Sequence, residues 1–242
     1  MQNYSSAFAE IVTRRRACRL FDTEITIPNE VIKSCLEKAI LSPNSSNMQL
    51  WEFYRIKTAE MKKEVARICL NQGGARTASE IIIFVARPDL WKKRQAVHLK
   101  KLEEVYGAAD NKGAKKAFQY YNEMMPLFYD NRFPFFKDIF KRIYLWNRTR
   151  KKPFVRDILS KQIPIVVHKS VALAAQTFML AISAEGFDSL PMEGFDSIPL
   201  KKLLNLPKEA QITMAIGVGK GKKEGIHGDR FRIPYEEVVF EV

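Results

Sequence analysis

The spacing of apolar residues predicts alternating helices and strands in the first third of the chain. Apolar positions recur at helical intervals over residues 5–18, 28–41 and 59–70, so each segment is predicted to form a helix. Trp51–Ile56 alternates between apolar and polar residues and is predicted to be a strand. Residues 80–87 form a dense β-branched run, which is typical of a strand buried on both faces.

A different pattern follows between residues 88 and 165. This stretch is helical, basic and aromatic, and it predicts two or three helices. We therefore expect residues 1–242 to form a single domain with an inserted helical cap at about 88–165. Most aromatic residues of the insertion are expected to pack against the body of the domain.

The last third returns to the pattern of a core. Residues 170–185 are the most apolar helical segment, and a short helix is predicted at 199–204. A core strand is predicted at 212–218, ending in a glycine-rich turn, and a second strand at 237–242. Gly73 and Gly74 predict a loop before the buried strand. The expected fold class is α+β, with a mixed, mostly antiparallel sheet flanked by helices.

Composition and cysteine usage indicate the compartment. Apolar residues make up 46% of the 242 residues, enough for a sizeable core. No uninterrupted apolar run reaches the roughly 18 residues of a membrane-spanning helix, and the N-terminus does not resemble a signal peptide. Three cysteines form no paired framework. We therefore expect a cytoplasmic protein with no membrane partner.

The net charge of +13 raises the question of nucleic acid binding. The basic residues lie in dispersed clusters, mostly inside helical patterns, and no zinc-finger, RNP-like or continuous basic-tail pattern accompanies them. Solvated helix faces and binding of phosphorylated anions explain these clusters better. Nucleic acid is therefore not the main expected partner.

Two arginine clusters are candidates for binding a phosphate group. Arg15, Arg16 and Arg19 follow the first helix, and Arg230 and Arg232 stand two residues apart in an extended segment. A guanidinium offers a planar fork of donors to a dianionic phosphate. The three histidines have no metal-ligand spacing, and a buried thiol is favoured for Cys18 over a reactive one.

The ordered set of motifs resembles the nitroreductase family of FMN enzymes. The chain has Arg-Arg-x-x-Arg-x-Phe from Arg15, then Pro-x-Ser-x-Asn-x-Gln-x-Trp from Pro43, then Gly-x-Asp-x-x-Pro-x-x-Gly-Phe-Asp from Gly186. Gly-x-Gly at Gly217 and a C-terminal Arg-x-Arg-x-Pro from Arg230 complete the order. Each motif is loose, but their order along residues 15–234 is quite specific.

This resemblance implies an FMN-dependent oxidoreductase that works as an intertwined homodimer. Electrons would pass from NAD(P)H to a small electron-poor acceptor, nitroaromatic-like or quinone-like, by a ping-pong mechanism centred on the flavin. No side-chain acid, base or metal would be required. The C-terminal segment would wrap onto the partner subunit.

The resemblance also implies roles for matched positions. The arginine clusters would hold the FMN phosphate and the ribityl and pyrimidine side of the flavin. The loop after Pro43 would reach the flavin of the partner subunit. Asn71 would contact the edge of the flavin ring, and the segment from Pro191 would lie along the isoalloxazine. A backbone N–H at residue 193 or 194 would point at flavin N5. The implied cofactor-binding residues are Arg15, Arg16, Ala17, Arg19, Pro43, Asn44, Ser45, Asn47, Asn71, Pro191, Met192, Glu193, Gly194, Arg230 and Arg232.

Two alternatives stay open. Departures from the family pattern, such as Ala17 where a serine is usual and Asn44 in the polar loop, leave room for a flavin enzyme of the same fold with different chemistry. That chemistry would be reductive dehalogenation or flavin processing, or turnover would be lost. The other alternative is a binding module whose basic helices at 92–152 engage nucleic acid or an acidic partner, which predicts a colourless protein.

Overall fold

The computed structural model describes residues 3–107 and 112–242. Five strands form one sheet: β1 (Phe21–Asp22), β2 (Trp51–Ile56), β3 (Glu80–Ala86), β4 (Asp188–Met192) and β5 (Gln211–Gly221). Strand β5 pairs with β1, β3 and β4, and β2 pairs with the other edge of β3. All of these pairs are antiparallel, and a single parallel bridge joins Ala17 to Ser189. The α+β class and the mostly antiparallel sheet are confirmed.

Strand β3 is the centre of the core. All seven of its residues are buried, and the six that follow Glu80 alternate between two apolar clusters on opposite faces of the sheet. Ile82 and Phe84 face one cluster, and Ile81 and Ile83 face the other, as the two-residue period of a strand requires. Phe84 packs against Phe178, with ring centroids 5.6 Å apart.

Helices cover both faces of the sheet. They are α1 (Tyr4–Arg14), α2 (Asn29–Ala39), α3 (Ala59–Ile68), α4 (Gly73–Thr77), α5 (Trp91–Tyr106), α6 (Lys112–Gln119), α7 (Met125–Tyr129), α8 (Pro134–Thr149), α9 (Ile163–Ala184) and α10 (Ser197–Leu203). Helices α2 and α9 bury their apolar residues on the Phe84 face. Helices α3 and α10 do so on the Ile83 face.

The insertion between residues 88 and 165 is helical, as predicted. Helix α5 leads to a stretch in which α6 and α7 are joined by a π-helical turn, Tyr120–Met124, and α8 follows. Trp91, Met125 and Tyr129 belong to the main apolar cluster. The description of this insertion as a cap on a single domain stays a prediction.

The expected packing of the insertion's aromatic residues is wrong for most of them. Phe135, Phe136 and Phe140 are between 63 and 72% exposed, and Trp146 is 64% exposed. These side chains lie on the outer face of α8, whereas Lys141 on the opposite face is buried and donates to the carbonyls of Phe128 and Ile158. The helical character of this stretch was predicted correctly, but the polar side of α8 faces inward.

Four other local predictions need correction. The first helix ends at Arg14, since Arg15 leaves the helical region with ψ 109°. Gly73 and Gly74 begin α4 rather than a loop. Strand β4 was not predicted, because its five residues include a proline and no alternating apolar pattern. The strand expected at 237–242 is wrong: residues 227–242 are exposed and form no strand, because no neighbouring strand in the described chain pairs with them.

The glycines near the end of β5 lie inside the strand, not in a terminating turn. A Cβ at Gly217 would lie 2.9 Å from the Gly74 carbonyl oxygen, and one at Gly219 would lie 2.8 Å from the Phe21 ring. Glycine at these positions therefore lets α4 and the N-terminal segment approach β5 closely.

Among the described residues, one helix, α9, is long and apolar enough to cross a membrane by length and composition alone. No uninterrupted apolar run in the sequence had predicted such a candidate. Half of the apolar window is buried inside the fold, and the helix packs against α2, β3 and β4. These contacts are those of a core helix.

The three cysteines are free and buried in the core, which confirms the buried thiol expected at Cys18. Burial raises the pKa of Cys35 to about 11 and that of Cys69 to about 11. Burial likewise raises the pKa of Cys18, despite the nearby arginines. Very little thiolate is therefore present at neutral pH.

We expect the native protein to react very slowly with a disulfide reagent at pH 8 and all three thiols to react once the chain is denatured. The reason is that both burial and raised pKa values suppress the nucleophilic thiolate. The absorbance of the thiolate that the reagent releases would be followed with and without guanidinium chloride. One thiol reacting rapidly in the native protein would contradict the expectation.

Candidate functional site

Arginines from the two ends of the chain meet after α1. Arg230 Nη2 donates to the carbonyls of Thr13 and Arg15, at 2.7 and 2.8 Å. Arg16 Nη2 donates to the carbonyl of Gly228 at 2.9 Å. These bonds fasten the exposed C-terminal segment to the residues that follow α1, and they bring the two predicted arginine clusters together.

Arg15 is the least satisfied member of this cluster. Its pKa is lowered by desolvation and then by the positive charges of Arg230, Arg232 and Arg16. Within residues 3–107 and 112–242, the Arg15 guanidinium has no ion pair and no hydrogen bond. Four like charges without a carboxylate repel one another, so the arrangement favours a bound anion.

Arg14, the first arginine of the run, has a different task. Its guanidinium donates to the carbonyls of Ser183 and Phe187 and lies 3.9 Å from an Asp188 carboxylate oxygen. It therefore joins the end of α1 to the turn after α9. The ion pair with Asp188 explains why Arg14 does not belong to the uncompensated cluster.

The segment 15–19 runs beside β4. Ala17 bridges Ser189, and the Cys18 N–H donates to the Ser189 carbonyl at 3.1 Å. The predicted arginine segment and the predicted segment 191–194 are thus neighbours in the fold. The Ser189 hydroxyl is buried and has no hydrogen-bond partner within the described residues.

A third predicted segment lies against the same place. Gln72 Nε2 donates to the Gly194 carbonyl at 2.8 Å and to the Cys69 carbonyl at 3.1 Å. A Cβ at Gly73 would lie 2.6 Å from the Arg19 carbonyl oxygen. Asn71, between these contacts, is exposed and has a left-handed backbone with φ 53°.

Several donors in this region are free to bind a ligand. Among the described residues, the backbone N–H groups of Glu193 and Gly194 have no hydrogen-bond partner, and both residues are exposed. The side chains of Asn71 and Arg19 are also exposed and make no hydrogen bond there. Met192 differs, because its side chain is 2% exposed and belongs to the core, so only its backbone could face a ligand.

The polar loop, residues 43–49, contacts other parts of the fold than the arginine cluster does. Its base is tied to α9, since the Ser45 N–H donates to the Ser170 hydroxyl at 3.2 Å. Within the described residues, no hydrogen bond or ion pair joins this loop to the arginine cluster or to residues 191–194. The described part of one chain therefore shows no contact of these kinds between the other predicted residues and Pro43, Asn44, Ser45 or Asn47.

The loop is held instead by side chains that sequence reasoning did not single out. They belong to α5 and to the π-helical turn: His98, Tyr120 and Tyr121. Gln72 was missed as well. The only signals were an amide next to Asn71 and a tyrosine pair in an aromatic segment, which are too common to identify a site.

One cavity of the fold lies apart from all of these residues. It has a volume of about 500 Å³ and is lined by Pro126, Leu127, Asp130, Lys137, Phe140, Lys141, Ile143 and Tyr144. None of the residues that the family resemblance implies for FMN lines it. The candidate site is therefore separate from this cavity, and several of its residues, such as Arg19, Asn71 and Gly194, are exposed.

Comparisons with known proteins agree on one family. A family model described as the nitroreductase family matches residues 12–220. A relative whose name assigns it as an NAD(P)H nitroreductase, MhqN of Bacillus subtilis (strain 168), is 23% identical over 232 residues, covering 96% of this chain and 97% of that protein.

Solved structures share the fold. The Bacillus subtilis protein ydfN, named as a nitroreductase, has a TM-score of 0.77 at 20% identity, covering 99% of this chain and 100% of that one. A protein of Exiguobacterium sibiricum 255-15, also named as a nitroreductase and solved in complex with FMN, has a TM-score of 0.71 at 21% identity, covering 97% of each chain.

Proposed function

This chain belongs to the nitroreductase family, and from that membership we propose that it is an FMN-dependent oxidoreductase. It would pass electrons from NAD(P)H to a small electron-poor acceptor of nitroaromatic or quinone type. The family match over residues 12–220 supports oxidoreductase chemistry. FMN in the Exiguobacterium structure and NAD(P)H in the name of MhqN support the cofactor and the reductant.

The observation that carries the proposal is the uncompensated arginine cluster. Arg15, Arg16, Arg230 and Arg232 lie together, and no carboxylate among the described residues pairs with any of them. A phosphate monoester carries up to two negative charges and accepts several charge-assisted hydrogen bonds. The terminal phosphate of FMN would supply this negative charge to the cluster, and the burial of Arg15 would strengthen each hydrogen bond between its guanidinium and the phosphate.

The neighbouring donors fit the polar edge of a flavin. The free N–H groups of Glu193 and Gly194 could donate to flavin N5, and the exposed amide of Asn71 could meet the carbonyl and N–H groups of the ring. Gln72 fixes the Gly194 carbonyl and so orients the adjacent peptide. A donor at N5 favours the reduced flavin and therefore raises its tendency to accept electrons.

When bound, FMN would supply the redox chemistry that moves electrons from NAD(P)H to the acceptor, in the ping-pong sequence that we propose. The chain's own residues would bind and orient the cofactor. No acid or base is assigned, because nothing in the site requires one. Three reduced, buried cysteines fit a reducing compartment, and we propose the cytoplasm.

We further propose that the site is completed in a homodimer. The loop 43–49 does not reach the arginine cluster of its own chain, so its predicted flavin contacts would be made in the partner subunit. Apolar side chains of α1 and of the C-terminal segment are left exposed, as expected of a surface covered on assembly. They include Tyr4 and Phe8, and Phe231, Tyr235 and Phe240, each 60 to 76% exposed.

The test of the function is an anaerobic absorption spectrum of the purified protein before and after NADPH. We expect a flavin spectrum that bleaches on reduction and returns when a quinone is added. A flavin that NADPH and NADH both leave oxidised would redirect attention to the same-fold alternatives. A colourless protein that takes up no added FMN would contradict the proposal and favour the basic binding module.

Replacement of Arg15 tests the phosphate site. We expect Arg15→Gln to raise the FMN dissociation constant about 10- to 100-fold, since charge-assisted hydrogen bonds are lost. The same change should leave the melting temperature of the apoprotein equal or higher, because it removes repulsion within the cluster. Flavin fluorescence titration and calorimetry would measure the two quantities.

Arg67→Gln is the matched control for that experiment, because Arg67 is exposed and pairs with Glu64 on the surface of α3. Its FMN affinity should equal that of the wild type. Equal affinity in Arg15→Gln and Arg67→Gln would show that the cluster does not hold the phosphate.

Removal of apolar contacts in the C-terminal segment tests the dimer. We expect the wild type to sediment as a dimer and Phe231→Ser with Phe240→Ser to shift the equilibrium towards monomer, because large exposed apolar residues dominate such interfaces. Phe135→Ser, on the outer face of α8, is the control. A wild type that stays monomeric at high concentration would contradict this part of the proposal.

A further inference from the structure

The loop 43–49 has an unfavourable backbone. Ser46, Asn47 and Gln49 have φ values of 54, 51 and 49°, in the left-handed region. Residues other than glycine occupy this region at a cost in free energy and persist there only when their surroundings hold them. The loop's internal bonds, from the Gln49 N–H to Asn44 Oδ1 at 2.8 Å and from the Asn47 N–H to the Asn44 carbonyl at 3.2 Å, close its base.

The tip of the loop is held from the helical insertion. The Tyr121 hydroxyl donates to the Ser46 carbonyl at 3.0 Å, and His98 Nε2 donates to the Asn47 carbonyl at 2.7 Å. The hydroxyls of Tyr120 and Ser46 lie 2.6 Å apart. Two carbonyls and one hydroxyl of consecutive left-handed residues are thus satisfied by three side chains, which we call the clamp.

The π-helical turn aims two consecutive tyrosines at one target. Successive residues of a regular helix point about 100° apart, and a π-turn changes this spacing by adding one residue. Here both Tyr120 and Tyr121 reach Ser46, with their rings edge to face. Gln95 Nε2 of α5 donates to the Tyr121 carbonyl at 2.6 Å and so stabilises the turn. Such turns are frequent at functional sites.

Two rings of the clamp also pack against each other. The His98 ring stacks on the Tyr121 ring, with centroids 4.8 Å apart and planes 13° from parallel. Desolvation raises the pKa of Tyr121, so its hydroxyl keeps the proton that it donates. Since a carbonyl oxygen only accepts, the proton on His98 must be on Nε2.

We propose that His98, Tyr120 and Tyr121 are positioning residues that hold the loop 43–49 in the conformation that binds FMN, and that they thereby set the affinity for the cofactor. The inference rests on the proposed function and adds a role for the insertion. Fixing the loop in advance removes the ordering entropy that binding would otherwise have to overcome. The insertion of one subunit would then govern the flavin site that its loop completes in the partner subunit.

The first test measures the loop itself. Hydrogen exchange of the amides of Asn47, Met48 and Gln49 would be compared in wild type, Tyr121→Phe and His98→Ala, without added FMN. We expect faster exchange at these amides in both variants and unchanged exchange in β3. Unchanged exchange at all of them would overturn the clamp.

The second test measures the cofactor. We expect Tyr121→Phe and His98→Ala each to raise the FMN dissociation constant about 3- to 10-fold, the loss of one hydrogen bond. His98→Gln keeps an N–H donor and should bind FMN within about twofold of the wild type. Tyr144→Phe is the control, because its ring packs against Phe154 and its hydroxyl has no partner among the described residues.

The outcomes separate this inference from the proposed function. A wild type that binds FMN with the same affinity as Tyr121→Phe and His98→Ala would overturn the role in cofactor affinity. Weaker FMN binding that accompanies a lower melting temperature of the apoprotein, and that Tyr144→Phe shares, would also overturn this role. A wild type that binds no FMN would contradict the proposed function and with it the role in affinity, while the exchange result would still decide whether the clamp holds the loop.

Discussion

Strand β3 is buried on both faces and hydrogen-bonded along both edges, and the remaining structure is arranged around that constraint. Its alternating residues supply both apolar clusters, so helices must cover the sheet on either side. Its edge with β5 fixes the position of the glycine-containing end of β5. That end receives β1 and β4, and it places the segment after α1 beside residues 188–192. The arginine cluster is thus positioned by the core, although none of its members belongs to the core.

Backbone strain is concentrated away from this core. Seven residues other than glycine have positive φ in the described chain, and five of them lie in the two short segments that the family resemblance assigns to the flavin: Ser46, Asn47, Gln49, Leu70 and Asn71. Strained conformations persist where the surroundings impose them. In one segment the clamp holds the backbone, and in the other the N–H groups of Leu70 and Asn71 donate to carbonyls of α3. The buried sheet therefore supports two segments, around Asn47 and Asn71, whose backbone is strained.

The sequence predicted what depends on periodicity and missed what depends on partners. Strand β2 was predicted to the residue and β3 to within one, because alternation and β-branching are local signals.

Strand β4 contains Pro191 and exists because β5 lies beside it, so no local signal identified it. The strand expected at 237–242 had a suitable composition but has no neighbour in the described chain. The aromatic residues of α8 were expected to be covered, because the abundance of aromatic residues in a segment does not say which of them face the core. The meeting of Arg15 and Arg230 could be anticipated only through the resemblance, because nothing in either segment points to the other. The π-helical turn and its contacts were missed, because a tyrosine pair in an aromatic segment is too common a signal to identify them.

The distance along the chain between the members of the arginine cluster has a consequence for biosynthesis. Arg230 bonds to the Arg15 carbonyl across 215 residues. The apolar clusters and all of the sheet need no residue beyond Ile226. The residues that form the sheet are therefore synthesised before the segment that supplies Arg230 and Arg232 to the proposed anion site. Loss of that exposed segment to a protease would remove these two arginines while leaving every residue of the sheet in the chain. Binding of the proposed anion would thus report that the segment is still attached.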